Sequence, residues 1–238
     1  MNISVVCPTL NESENVPRLI AELKEVLQGM DYEIIIVDDD SPDRTWAVAE
    51  DLAKQNSRIR AVRRKGPRSL GWSVIEGFTI ARGEVVACMD ADLQHDPAIL
   101  PSMLEALSDG SDLVVGSRYV RGGSVGEWRW ARRSESWLAN RLAQWVVGIR
   151  ICDAMSGYFL IRRTDFLRVR ERLNGQGFKI LLEIAANMEC PQVHEIPYRF
   201  RNRIAGETKL SRRVMFAYIS QLCRLSRLKT GKMNSKTT

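Results

Sequence analysis

Short apolar runs separated by amphipathic stretches constrain this chain more than any other feature. Residues 3–7, 33–37, 59–62, 85–89 and 112–116 are rich in Val and Ile and bounded by turn residues, the pattern of short buried strands. Between them the spacing of apolar residues predicts helices over 16–27, 45–54, 70–81 and 98–107; in the first, Leu19, Leu23 and Leu27 share one face. Strands alternating with helices imply an α/β fold, a largely parallel sheet with helices on both faces. Such sheets bind ligands at the carboxyl ends of their strands. The residues that follow each strand therefore matter most.

Those residues are mostly acidic. The first strand runs into Pro8-Thr9-Leu10-Asn11-Glu12, the second into Asp38-Asp39-Asp40-Ser41-Pro42-Asp43, the fourth into Asp90-Ala91-Asp92-Leu93-Gln94-His95-Asp96-Pro97, and the fifth into Ser117-Arg118-Tyr119. No GxGxxG and no GxxxxGK[ST] follows any strand, which argues against a dinucleotide oxidoreductase or a P-loop ATPase. Asp90 and Asp92 flank Ala91 and can converge on one cation, to which Gln94 adds a carbonyl oxygen. Hard oxygen ligands of this kind suit Mg²⁺ or Mn²⁺. Such an ion neutralises charge on a leaving diphosphate. Asp39, at a neighbouring strand end, can accept hydrogen bonds from a base or a ribose. Asp38, Asp40, Ser41 and Asp43 read as turn and helix caps. His95 reads as a surface-turn histidine, with a metal ligand or base as the alternative.

Composition narrows the setting. The chain has 238 residues, enough for one globular domain with a short appendage, and no run of about 18 apolar residues that would span a membrane. Its five cysteines, Cys7, Cys88, Cys152, Cys190 and Cys223, are scattered and form no CxxC pair, which points to free thiols in a reducing compartment. The start, MNISVVCPTL, carries no signal-peptide pattern. The formal charge of +6 is concentrated late: residues 208–238 hold eight Lys or Arg and no acid, so the first 207 carry a formal −2. A basic end of this kind suits an anionic membrane surface or nucleic acid.

Taken together, PTLNESENV near the start, VDDDSPDRT, DADLQHDP, GSRY and RIAGETKLS near the end make the chain resemble a family 2 glycosyltransferase. The narrower resemblance is to the dolichyl-phosphate (polyprenyl-phosphate) mannosyltransferases. It covers roughly residues 2–211, and the late element from Arg203 to Ser211 separates this subgroup from the family at large. It implies a GT-A (nucleotide-diphospho-sugar transferase) fold, a Rossmann-like mixed and mainly parallel sheet. Residues 1–211 would form the catalytic domain and 212–238 a basic amphipathic helix and tail.

The resemblance also implies roles. Pro8, Glu12, Val37 and Asp39 would hold the donor nucleoside, and Asp90, Ala91, Asp92 and Gln94 the donor diphosphate and a Mg²⁺ or Mn²⁺ ion. Arg118, Arg132, Arg203 and Lys209 would meet donor or acceptor phosphates, and Ser136 would lie on the acceptor side. Asp90, Asp92 and Arg118 would carry catalysis. Two departures stand out: Leu10 replaces an aromatic residue near the base, and Asp40 replaces Asn. The reaction implied is transfer of a sugar, mannose from GDP-mannose, to a polyprenyl monophosphate with inversion. The alternative is glucose from UDP-glucose, and a nucleotidyltransferase is more remote because no basic glycine-rich phosphate loop occurs early. A nucleic-acid-binding module would not explain acids at strand ends, which repel phosphate.

A lipid acceptor requires contact with a membrane. Trp128, Trp130, Trp137 and Trp145, interleaved with Arg129, Arg132, Arg133 and Arg141, suit a headgroup layer. A second stretch, residues 211–229, puts Met215, Tyr218, Ile219, Leu222 and Leu225 on one helical stripe. Packing of either stretch on the domain itself is the alternative. The expectation is a peripheral protein on the cytoplasmic face of a membrane, alone or with a membrane-protein partner, and without nucleic acid.

Overall fold

A computed structural model describes residues 1–126, 130–148, 150–176, 179–201, 218 and 220–226; within the helix over 130–147, side chains are described at 134 and 136–145. The elements run β1 (Ile3–Thr9), α1 (Val16–Val26), β2 (Tyr32–Asp38), α2 (Thr45–Gln55), β3 (Ile59–Arg63), α3 (Leu70–Ile80) and β4 (Val85–Cys88). They continue with α4 (Leu100–Ser108), β5 (Leu113–Ser117), α5 (Trp130–Val147), β6 (Phe159–Arg162), α6 (Arg163–Arg170), α7 (Ile180–Asn187) and β7 (Val193–Pro197). The five strands and four helices expected from periodicity are all present, within a few residues at each end.

One sheet of seven strands carries the order β3-β2-β1-β4-β6-β5-β7. β1 pairs in parallel with β2 and with β4, and β2 in parallel with β3. β6 is antiparallel to both β4 and β5, while β7 is parallel to β5. The sheet is therefore mixed and mainly parallel, as expected. Two-residue periodicity divides the strand residues between two apolar layers. Val6, Ile35, Val37 and Val86 face α3, α6 and α7, whereas Val5, Cys7, Ile34, Ile36 and Ala87 face α1 and α4. The chain builds β2 and β3 on one side of β1 and then crosses to place β4 on the other, so the strand order reverses between β1 and β4. That crevice is where open α/β sheets bind ligands.

Residues 220–226 are helical and dock on the domain. Leu222 and Leu225 are buried in the layer that holds α7, the Tyr218 hydroxyl donates to the Ala139 carbonyl at 2.8 Å, and Arg224 pairs with Glu183 at 2.7 Å. At its described positions the late apolar stripe thus turns inward. No helix among the described residues is long and apolar enough to cross a membrane.

Glu33 ties three elements at the opposite, amino-terminal edge of the sheet. Its carboxylate accepts from the Ser4 hydroxyl (2.7 Å), the Arg82 amide (2.6 Å) and Arg60 (3.0 Å). Burial pushes its pKa up, but the Arg82 amide, the Ser4 hydroxyl and Arg60 together hold it below its ordinary 4.5. A carboxyl with a lower pKa in the folded chain contributes stability above its unfolded value, and that contribution fades as pH falls through the folded value. Glu33→Gln is expected to lower Tm at neutral pH by a few degrees, about 2–4 °C per kcal/mol in a domain of this size, and to flatten the loss of Tm below pH 4.5. Thermal unfolding across pH reads both; an acid limb as steep as the wild type's would remove Glu33 from the account.

Candidate active site

Three loops leave the carboxyl ends of β2, β1 and β4 side by side. Pro8 and Val37 are direct register partners in β1 and β2, and both are buried. The Asp39 amide donates to the Thr9 carbonyl at 3.1 Å, which sets the two loops edge to edge. Asp38 is a scaffold residue, as its sequence position suggests: it accepts from the Thr9 hydroxyl (2.9 Å), the Ser41 amide (2.8 Å) and the Ser41 hydroxyl (2.5 Å). Asp43 accepts from the Thr45 amide at 3.0 Å and caps the start of α2, and the Thr45 hydroxyl receives the Glu12 amide at 2.9 Å. Among the described residues five non-glycine positions have positive φ, and four of them, Asn11, Asp40, Arg44 and Leu93, lie in these loops. Asp40 tolerates the left-handed region almost as Asn does, which accommodates the replacement noted above. Leu93 has no such side-chain compensation, and it sits inside the DADLQHDP turn, where strain of this kind marks functional loops.

Asp39 is buried and both of its carboxylate oxygens are engaged. Arg64 pairs with one and the Ser69 amide donates to the other at 2.7 Å; Arg64 in turn contacts Glu76 at 3.1 Å. Asp40 pairs with Arg63 at 2.6 Å, and the Arg63 guanidinium lies 3.8 Å from the centre of the Trp46 ring. The β2 end of the crevice is thus held by basic residues, Arg63 and Arg64, to which sequence reasoning gave no role.

At the β4 end, Asp90 packs against Gly157, where an added Cβ would overlap its carboxylate. Its Oδ2 faces His95 Nε2 at 3.4 Å, and its Oδ1 is buried without a hydrogen-bond partner. Burial alone would raise the Asp90 pKa, but His95, Lys179 and Arg118 outweigh it and hold the carboxyl below its ordinary value. Asp92 and Gln94 are buried beside it. Gln94 is clamped to the segment that follows β7: its side-chain Nε2 donates to the Arg201 carbonyl at 3.1 Å, and the Arg201 amide donates to the Gln94 backbone carbonyl at 2.9 Å. An orphaned buried carboxylate oxygen beside a second acid and an amide fits a hard divalent cation. Among the described residues no three His, Cys, Asp or Glu side chains make a metal cluster on their own. The fit is to an ion that draws the rest of its ligands from water and phosphate.

His95 is not a surface-turn residue. It is 3% exposed, its Nδ1 lies 2.7 Å from the Tyr198 hydroxyl, and Tyr158, Tyr198 and Phe200 surround its ring. Both ring nitrogens are occupied, which sequence position alone did not reveal. Arg118 is buried too and forms a two-point pair with Asp153: Nε to Oδ2 and a terminal nitrogen to Oδ1, both 2.7 Å, with its own amide on Oδ2 at 3.0 Å. Burial disfavours its charge, and Asp153 more than restores it, so its pKa is raised. Sequence reasoning missed Asp153 because it stands 35 residues from its partner. It also missed Lys179, whose ammonium donates to the Met155 carbonyl at 2.8 Å and whose pKa burial drives down, against the pull of Asp90. Ser136 lies half-buried on α5. Arg132 falls on α5 with its side chain outside the described residues, and Arg203 and Lys209 lie outside them altogether.

The crevice combines acids that suit a cation with cations that suit phosphate. A family model described as Glycosyl transferase family 2 matches residues 4–170. The chain belongs to that family. Among family 2 relatives, it is 42% identical to a protein from Pyrococcus furiosus named "Dolichol-phosphate mannosyltransferase", over 94% of this chain and 64% of that protein. The chain thus spans under two thirds of that relative's length. It is 36% identical to a Mycosarcoma maydis protein of the same name, over 96% of this chain and 80% of the other. A solved glucosyl-3-phosphoglycerate synthase from Mycobacterium tuberculosis, in complex with Mn²⁺, uridine diphosphate and phosphoglyceric acid, superposes with a TM-score of 0.67 at 22% identity, covering 93% of this chain and 78% of that one. That likeness establishes the GT-A fold.

Removing one member of a buried ion pair strands the other, at about 3–5 kcal/mol. Asp153→Ala is expected to cost that much, a fall in Tm on the order of 10 °C. In a double-mutant cycle, Arg118→Met with Asp153→Leu should lose less than the two single changes combined, because no charge is then left buried alone. Additive losses would show that the two side chains are not coupled.

Proposed function

We propose that the chain transfers mannose from GDP-mannose to a polyprenyl monophosphate, with inversion at the sugar carbon. The observation that carries this reading is that relatives aligned along nearly the entire chain are named dolichol-phosphate mannosyltransferases. The crevice chemistry supports it. The half-buried Asp90 and buried Asp92, with Gln94, would hold a Mg²⁺ or Mn²⁺ ion, which would supply positive charge against the departing diphosphate. Pro8, Glu12, Val37 and Asp39 line the nucleoside end.

The acceptor needs placement more than deprotonation. A phosphomonoester has a second pKa of about 6 and is already anionic at neutral pH. Catalysis then rests on holding its oxygen in line with the sugar carbon and on screening two anionic groups from each other. Arg118, fixed by Asp153, and Lys179, fixed on the Met155 carbonyl, provide positive charge at the diphosphate end. Ser136, Arg132, Arg203 and Lys209 are assigned to the acceptor phosphate. His95, with both ring nitrogens taken, acts by holding Asp90 rather than as a base.

The deciding assay incubates the protein with a polyprenyl phosphate in detergent and Mg²⁺ or Mn²⁺, and compares GDP-mannose with UDP-glucose. Mannolipid that requires the metal is the expected product. Glucolipid alone would overturn the sugar, and no glycolipid with either donor would overturn the acceptor. In the same assay, Lys209→Ala should reduce transfer by at least about tenfold, as expected for loss of a charge-assisted phosphate contact, while GDP-mannose binding measured by calorimetry stays intact. A loss of donor binding would move Lys209 to the donor side.

A further inference from the structure

The described end of the late helix, Tyr218 and residues 220–226, lies across two other helices. On one side the Tyr218 hydroxyl meets α5 at the Ala139 carbonyl. On the other, Gln221 and Arg224 reach the first turn of α7. The Gln221 side chain donates to the Lys179 carbonyl at 3.1 Å, and Arg224 pairs with Glu183 at 2.7 Å. Glu183 and Gln221 are both buried, and the same Glu183 oxygen accepts the Asn174 amide at 3.0 Å. The buried Leu222 and Leu225 would seat the helix without these polar groups. Gln221 is a poor residue for stability alone: its Oε1 is buried without a hydrogen-bond partner, which carries a desolvation penalty. What the polar contacts fix is the turn that brings Lys179 to the crevice. Asp90, Arg118 and Asp153 all act on the charge of this half-buried lysine, which stands among them. Its ammonium has three N–H donors, and one is held by the Met155 carbonyl at 2.8 Å. Met155 is held in turn from α5, where Asn140, next to Ala139, accepts its amide at 3.1 Å. The late helix therefore touches both helices that set the Lys179–Met155 contact.

We propose that the late helix is a positioning element of the crevice: Gln221, and Arg224 through Glu183, hold the first turn of α7 so that the Lys179 ammonium stands where a substrate phosphate oxygen arrives. This rests on the reading above of the crevice as a phosphate site. Lysine needs such support more than arginine does. Its ammonium is a point charge on a flexible four-carbon stem. Arg118 has the two-point grip of Asp153, whereas Lys179 has one backbone carbonyl. Where the stem begins thus decides where the charge ends. Gln221, Glu183 and Arg224 act through Lys179 and need no contact with substrate.

Two readouts test this on the full chain: transfer kinetics, and calorimetry of inorganic pyrophosphate with Mn²⁺. Gln221→Leu, Arg224→Met and Arg224→Lys are each measured with and without Lys179→Met. Lys179→Met is expected to lower kcat/KM or pyrophosphate affinity by at least about tenfold, as loss of a charge-assisted phosphate contact does. Gln221→Leu should lower the same quantity by about fivefold or more, the effect of a small misplacement. Its Tm should stay at or above the wild type's, because the buried unpaired oxygen is gone and the Lys179 carbonyl keeps the Glu183 amide. Arg224→Met should also lower that quantity, and Arg224→Lys should retain most of it; Gln221→Leu alone decides if Arg224→Met does not fold. In the Lys179→Met background no late-helix change should lower it further. A loss confined to pyrophosphate affinity puts the ammonium on the donor diphosphate, and one confined to the KM of the lipid phosphate puts it on the acceptor; both support the proposal. Losses that persist undiminished without the Lys179 ammonium overturn it, as do wild-type values for Gln221→Leu in both readouts. A wild-type chain that transfers no sugar overturns the function proposed above instead, and pyrophosphate affinity still reads the late helix.

Discussion

Because β1 pairs in parallel with β2 on one side and β4 on the other, three loops leave the sheet at one edge and in one row. The acidic row of the crevice follows from that register. Pro8 faces Val37 across the ladder, the Thr9 carbonyl receives the Asp39 amide, and the Val6 carbonyl receives the Met89 amide just before Asp90. The acids are thus brought together by backbone pairing, without any pairing among themselves. A slip of one residue in either ladder would turn Cys7 and Ile36 to the wrong face of the sheet and take the loops out of line.

Two opposite charges are held in that row by different means. The carboxylates sit at strand ends, each held by its neighbours in space: Asp38 by Thr9 and Ser41, Asp39 by Arg64 and Ser69, Asp90 by His95 and Gly157. Arg63 and Arg64 apart, the cations come from the half of the chain that follows β4 and are anchored on the 151–156 loop, Arg118 through Asp153 and Lys179 through Met155. Arg118 also lies 5.0 Å from the centre of the Phe200 ring, which shields the pair from water. Low local polarity strengthens such contacts and raises the cost of leaving any member alone. The crevice is accordingly arranged for anions that arrive together with a cation.

How much of this the amino-acid sequence reveals depends on how local each feature is. β1 to β5 and α1 to α4 are legible because each carries its own apolar period and its own turn residues. β6 has four residues, ends on Arg162 and runs straight into Arg163, and β7 is a half-buried edge strand reading VHEIP; neither stands out from a loop until its partners are known. The acidic strand ends were legible as chemistry. The roles of Asp153, Lys179, Tyr198 and Phe200 were not, because they enter the crevice only through contacts distant in sequence, across 24 residues of chain for Lys179, 35 for Asp153 and 103 for Tyr198, with Phe200 packed on His95. His95 shows the same limit: its neighbours in sequence are polar, but its neighbours in space are three aromatic rings.

The antiparallel β6 has a consequence for the order of assembly. β4 has β1 as its neighbour on one side, and its other edge stays open until residues 159–162 exist and have turned back into the sheet. That same return brings Gly157 beneath the Asp90 carboxylate and the 151–156 loop beneath Arg118. During synthesis the amino-terminal half can form its three parallel pairings early, while the middle of the sheet waits for a contact of long sequence separation, the slowest kind to close. The part of the crevice between β1 and β2 is therefore built first, and the part around Asp90 and Arg118 is the last to be sealed.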